Sequence, residues 1–274
     1  MNRINLFFTK INLGLKKIRF YSQLVYQYFL RYQYKAERYT NTFLTSTPKG
    51  IANNLSLPAP VIYTFWTGKN EMSENRKAGL QSLIEESGVE VKLITPHNLE
   101  EFVLKDYPLH PAYKHLSLVH KSDYLRCYFM HHYGGGYCDV KKCTHAWAEA
   151  FTLLQNSNKW ILGYRELRRR KLAPVTGNTG NDMKKHFLFL LGNGAYICKP
   201  YSPFTTDWYN ELHCRMNNYA IKLAEFPGNT MGDNEGYPIP WTNILGDIFH
   251  PLCLKYMEHL YYSNIVLPNL KNYR

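Results

Sequence analysis

The sequence predicts an α/β domain whose mostly parallel sheet is flanked by helices, with an amphipathic helical extension at its amino end. Three observations point there. Short β-branched and aromatic runs alternate with amphipathic segments, Gly- and Pro-bearing turns separate them, and 274 residues suffice to bury a large core.

Residues 60–66 (PVIYTFW) read as a buried first strand ended by Thr67-Gly68, and Ser73, Arg76, Leu80, Leu83 and Ile84 mark a helix that Gly88 stops. Val89 to Ile94 is a second strand and His97 to Tyr107 a second helix. Leu118 to Tyr133 is helical by its apolar spacing. Gly134-Gly135-Gly136 breaks it, and Tyr137 to Val140 resumes as a strand. Trp160 to Tyr164, Phe187 to Leu191 and Ala195 to Cys198 are further strands, with Phe204 to Met216 and Thr242 to His259 as closing helices. Residues 165–185 read as a basic, Gly-containing loop, long enough to act as a lid.

Three regions divide the chain. Residues 1–40 carry eight cations against Glu37, interleaved with apolar residues at steps of three and four, the pattern of a basic amphipathic helix. Such a helix lies in the headgroup plane of an anionic bilayer, and packing on its own domain is the plainer alternative. Residues 41–58 are polar, Pro/Gly-bearing and read as a linker, and residues 59–274 form the α/β domain. No run approaches the roughly 20 apolar residues of a spanning helix, and no cleavable secretory signal is legible. The expected location is therefore cytoplasmic, peripheral on the inner face of the cytoplasmic membrane.

Composition excludes several classes. With 45% hydrophobic residues, 23 Tyr and 14 Phe, the chain is not disordered, and no repeat, heptad or collagen period is present. The net charge of +12 calls for an anionic partner. Six scattered cysteines read as reduced thiols; Cys138 and Cys143 with His145 lack the paired short spacings of a zinc site.

Three clusters carry chemistry. Trp66 stands at the carboxyl end of the first strand, where sheets of this kind bind ligands, and its indole can stack on a heterocycle or serve the core. Asp123 and Arg126, at i and i+3, share one face of an otherwise apolar helix that also bears Tyr124. A surface ion pair is the bland reading, a cavity-lining pair the functional one. After Gly134-Gly135-Gly136, glycines that permit close approach of backbone to a ligand, the next strand is expected to present Asp139 and Lys141 on one face. An Asp there accepts hydrogen bonds from sugar hydroxyls, and a Lys supplies charge for a diphosphate.

In this order Trp66-Thr67-Gly68, Ser122 to Arg126 and Gly134 to Asp139 resemble the DXD-type sugar transferases of glycosyltransferase family thirty-two and its bacterial capsular-polysaccharide relatives. They are also similar to the catalytic core of the large clostridial glucosylating toxins. The resemblance covers roughly residues 58–145. It implies a Rossmann-like GT-A fold and transfer of a sugar from a nucleotide-sugar donor, usually with retention, to a carbohydrate or lipid-linked acceptor. It also implies that Trp66 stacks on the donor base, that Asp123 and Arg126 hold the sugar, and that Asp139 bridges ribose and sugar. Thr67, Gly68, Tyr124, Gly135 and Gly136 would line the donor pocket, with Thr242 and Asn243 as diphosphate contacts or simple helix caps.

The family's last motif acid, which ligates a divalent ion (Mn or Mg), is Lys141 here. Three explanations stay open: Lys141 replaces the metal with help from Arg126 or the Arg168–Lys171 loop, a metal binds through the donor phosphates, Asp139 and a C-terminal group such as Asn243 or Asp247, or transfer activity is lost. Two other functions compete, an effector that glycosylates a host protein and a non-catalytic protein binding nucleic acid or an acidic polymer. Without a zinc-finger or RNA-recognition signature, nucleic acid is not the expected partner.

Overall fold

The computed structural model describes residues 32–47 and 55–270, with a few helical positions between 14 and 29. The chain divides into two units, Met1–Lys35 and Ala36–Arg274. In the first, most of the extension lies outside the described residues. The described positions Leu15, Ile18, Tyr21, Val25 and Phe29 are helical and exposed, at the three- and four-residue steps of one helix face.

The second unit begins earlier than the sequence boundaries at 40 and 58. Tyr39 and Leu44 are buried, Arg38 Nη2 donates to Asp182 Oδ1 (2.8 Å), and Tyr39 donates to Asp182 Oδ2 (2.7 Å). Its sheet comprises β1 (Val61–Phe65), β2 (Glu90–Ile94), β3 (Gly135–Cys138), β4 (Ile161–Arg165), β5 (Leu191–Cys198) and β6 (Leu260–Tyr262), in the order β2-β1-β3-β5-β4-β6. β1 pairs in parallel with β2 and β3, and β4 with β6, while β5 opposes both β3 and β4. Five strands therefore run one way, and their carboxyl ends share one edge with the amino end of β5.

Helices α1 (Glu74–Glu86), α2 (Leu118–His132), α3 (Ala148–Gln155), α4 (Gly177–Lys185), α5 (Pro203–Glu225) and α6 (Gly246–Lys255) surround this sheet, giving the Rossmann-like α/β architecture. Alternation along each strand separates two cores. Ile62, Cys138, Leu162 and Ile197 meet Leu83 of α1 and Phe151 and Leu154 of α3. On the other face, aromatic rings run from Phe65 to Tyr137 (5.6 Å), Tyr196 (5.3 Å) and Phe249 of α6 (5.0 Å).

Some expected elements differ. His97 to Tyr107 contains only a 3-10 turn, Leu99–Phe102. Asn98 accepts from Thr95 N and donates to Leu93 O, locking a turn, and Pro108 and Pro111 bar a longer helix. The glycine triplet is not purely a break, since Gly135 and Gly136 are themselves strand residues. The 165–185 segment is anchored rather than loose, with α4 burying Thr179, Gly180, Asp182 and Met183.

Candidate active site

A cavity of about 610 Å³ opens at the carboxyl ends of β1 and β3, within the roughly 300–1,000 Å³ usual for small-molecule sites. Its walls are built from the ends of these strands, from the first turns of α1 and α2, and from the irregular segment 227–241.

The β1 wall is a tight turn. Trp66 N continues the ladder to Ile94 O (2.9 Å), and its indole N–H donates to Asn70 O (2.7 Å), which fixes the ring against the cavity. Thr67 donates to Leu118 O (2.6 Å), joining this turn to α2. A Cβ on Gly68 would lie 2.2 Å from Asn70 Oδ1 and 2.9 Å from Leu118 Cδ1, so any larger residue would have to push both side chains aside.

At the start of α2, Ser117 caps His120 N (3.2 Å), and segment 227–241 supplies Asn229 O to Leu118 N and Thr230 O to Val119 N. Buried His120, held by the Tyr237 hydroxyl (2.8 Å), has its pKa pushed down to about 4 by burial and stays neutral. This network places Thr230, Met231 and Trp241 on the cavity wall.

About two turns into the helix, Arg126 is the hub. Its Nη2 lies 3.3 Å from Asp139 Oδ1 and 3.5 Å from Asp123 Oδ1, Nη1 donates to Asn193 O (3.1 Å), and its guanidinium lies 4.5 Å over the Tyr137 ring. Asp139 follows β3 rather than lying in it, pinned by its N–H to Gly194 O (2.9 Å). Its Oδ1 accepts from the Tyr137 hydroxyl (2.5 Å) and Oδ2 from Lys141 Nζ (2.6 Å). Asp139 and Lys141 thus meet through a loop, not through strand alternation as the sequence suggested. Burial alone would raise the Asp139 pKa, yet the charges of Arg126 and Lys141 and the bonds from Lys141 and Tyr137 hold it below the usual range. Asp123 lacks that second cation. Burial, opposed by Arg126 and reinforced by Asp139, pushes it up to about 6.

Of the sequence-assigned residues, Trp66, Thr67, Gly68, Arg126, Asp139 and Lys141 line this one cavity. Asp123 lies buried behind Arg126 and is not on the wall. Tyr124 is turned into the core, its hydroxyl accepting from His110 N (2.9 Å) and meeting His213 Nε2 (3.1 Å). Gly135 and Gly136 serve packing, not ligand approach: a Cβ would meet Val61 O at 2.8 Å and the Trp147 ring at 3.0 Å. Thr242 bonds Asp247 Oδ1 (2.7 Å) and Asn243 lies 3.5 Å from Asp247 Oδ2, which makes them helix-start residues off the cavity wall. Arg76 was missed as a site residue; it reaches the wall from α1 and donates to Val140 O (2.8 Å). Its only sequence signal was the helical spacing that faced it toward the sheet.

The side chains on their own form a poor divalent-ion site. Both Asp139 oxygens are engaged by Tyr137, Arg126 and Lys141, and among the described residues no group of three His, Cys, Asp or Glu could hold a metal. The lining offers Arg76, Arg126 and Lys141 against Glu71 and Asp139, a balance that favours an anionic ligand.

Residues 8–158, more than half of the chain, match the family model of the capsular polysaccharide synthesis proteins. The chain belongs to that family. Among curated proteins none matches it. The matched span contains the first five helix and strand elements from β1 through β3, and with them every charged group of the cavity named above. No helix among the described residues is long and apolar enough to cross a membrane.

Proposed function

We propose that this family member is a glycosyltransferase of GT-A type that moves a sugar, with retention, from a nucleotide-sugar donor to a lipid-linked or growing surface polysaccharide acceptor. The observation that carries the reading is the convergence of the Trp66 indole, the Arg126 guanidinium and the Asp139–Lys141 pair on one cavity at the carboxyl edge of the sheet.

The nucleotide base stacks on Trp66, worth about 1–3 kcal/mol. Arg126 and Asp139 face the ribose and donor sugar, and Asp123, behind the guanidinium, positions Arg126. Lys141, aided by Arg76, stabilises the departing diphosphate as a fixed charge in place of a divalent ion. With no strong nucleophile on the wall, rate enhancement comes from electrostatic stabilisation of the leaving group. The exposed apolar stripe of the extension holds the enzyme on the inner face of the cytoplasmic membrane, beside a lipid-linked acceptor.

Thermal shift with UDP, GDP and CMP sugars tests this. At about 100 Kd the matching donor adds roughly 2.7 kcal/mol of stability. Asp139→Ala abolishes the shift, chelation leaves it intact, and Lys141→Met weakens it. A folded protein that responds to no nucleotide sugar, or a wild-type shift lost on chelation, overturns the donor reading or the metal-free reading respectively.

A further inference from the structure

Residues 165–185 join the carboxyl end of β4 to the start of β5, so they lie at the edge of the sheet where the cavity opens. They are firmly held. Ala173 N donates to His250 Nδ1 (3.1 Å), Asp182 is clamped by Arg38 and Tyr39, and Asn178 donates to Arg38 O (3.1 Å).

On this anchored base the cations point outward. Arg168, Arg169, Arg170 and Lys171 are exposed in succession, and Lys184 is exposed at the end of α4. The Arg169 guanidinium lies 5.2 Å over the Phe187 ring, which sets the arginine run beside the residues that follow α4. Seven cations in the segment face only Glu166 and Asp182, and Asp182 is committed to Arg38. Among the described residues none of Arg168, Arg169, Arg170, Lys171 or Lys184 has an acid within ion-pair distance. Leu167, half exposed, sits at the head of the run.

We infer that this ridge is a binding surface for anionic phospholipid headgroups, which sets the cavity edge of the compact unit against the membrane. Four features favour lipid over a soluble polyanion. The ridge is predominantly cationic, with Glu166 its one acid beside Arg168 and Lys171, and it includes an exposed leucine suited to the headgroup–acyl boundary. It carries no exposed aromatic ring of the kind that stacks nucleic-acid bases. Arg38 and Tyr39 are fixed to the same segment, and in sequence they follow directly on the basic residues 1–37. The ridge demands nothing of the donor chemistry, so either reading can fail alone.

The test uses the full chain and sedimentation with phosphatidylcholine vesicles, with and without phosphatidylglycerol. A cation at such a surface contributes about fivefold in partitioning, so Arg168→Gln with Arg170→Gln lowers binding to the anionic vesicles about 25-fold. Arg168→Lys with Arg170→Lys, which keeps the charge, retains binding. So does Lys105→Gln with Lys159→Gln, an equal charge change at the opposite edge, where Phe102 and Leu104 meet Tyr133 and Tyr128 at the end of α2. Equal losses in both neutralised pairs, or no loss in the ridge pair, overturn the inference. So does a ridge variant that loses heparin binding while its vesicle binding is unchanged.

Discussion

The two faces of α2 solve the same burial problem in opposite ways. Toward β3 it presents Asp123 and Arg126, and Arg126 links Asp123 to Asp139, which in turn pairs with Lys141. Toward α5 it presents Tyr124, Tyr128, His131 and His132, against Tyr209 and His213. There no acid is close, so burial and the neighbouring imidazoles push His131 down to about 3, while burial and His213 push His132 down to about 4. One face pairs its charges and the other refuses them. A paired charged face can exchange partners for an anionic ligand; a neutral aromatic seam can only hold the fold.

Acid is the strongest way to break this contrast. His120, His131, His132, His213 and His250 all have folded pKa values of about 4 or lower, against roughly 6.5 when unfolded. Between those limits the unfolded chain binds more protons, so the stability these groups leave intact above pH 6.5 is lost as pH falls toward 4. Asp123 works the other way: with its pKa raised to about 6, it favours the folded state as pH falls from 6 toward 4. Glu166, raised chiefly by burial, acts in the same sense as Asp123, and the five imidazoles outweigh these two carboxyls. The protein therefore loses stability as pH falls from about 6.5 toward 4. His131→Phe keeps the stack on Tyr209 and makes the slope of stability against pH shallower, measured by urea unfolding across that range. An unchanged slope would show that the seam is already charged when folded.

The charged face breaks by truncation. Arg126→Met leaves Asp123 and Asp139 facing each other across a buried site, at a cost of about 3–5 kcal/mol. Arg126→Lys costs less but still loses donor binding, because one ammonium cannot reach Asp123, Asp139 and Asn193 O together. Denaturant unfolding reads the first effect and nucleotide-sugar thermal shift the second. If Arg126→Met were as stable as the parent, the cluster would be a surface network rather than a buried one.

Much of this was legible in the residues. Val61–Phe65 and the amphipathic spacing of Leu118–His132 declare their elements locally, and the i, i+3 offset of Asp123 and Arg126 is fixed by helix geometry alone. What escaped depends on partners distant in the chain. Gly135 and Gly136 read as a break because glycine is a poor strand former, yet they are strand residues that Val61 O and Trp147 leave no room to replace. The histidine seam is silent in sequence, since His131 and His132 meet Tyr209 and His213 only after α5 folds back across α2. Asp123, read as a sugar ligand, stands behind Arg126, because helix spacing gives a face but not a depth.

The smallest predicted effect tests how finely Lys141 is placed. Gly79 lies inside α1, where glycine costs about 1 kcal/mol relative to alanine. A Cβ there would stand 3.1–3.3 Å from the Lys141 backbone. The loop cannot retreat freely, because Arg76 holds Val140 O (2.8 Å) and Ser82 Oγ accepts from Cys143 N (3.1 Å). In Gly79→Ala the gain in helix propensity and the push on this loop therefore nearly cancel, leaving stability within about 1 kcal/mol of the parent. The push moves Lys141 by tenths of an ångström relative to Asp139 while every charge is kept. Nucleotide-sugar affinity falls in this variant although its unfolding midpoint barely moves. Affinity equal to the parent would mean that Lys141 acts through its charge alone and that its position is not what the glycine protects.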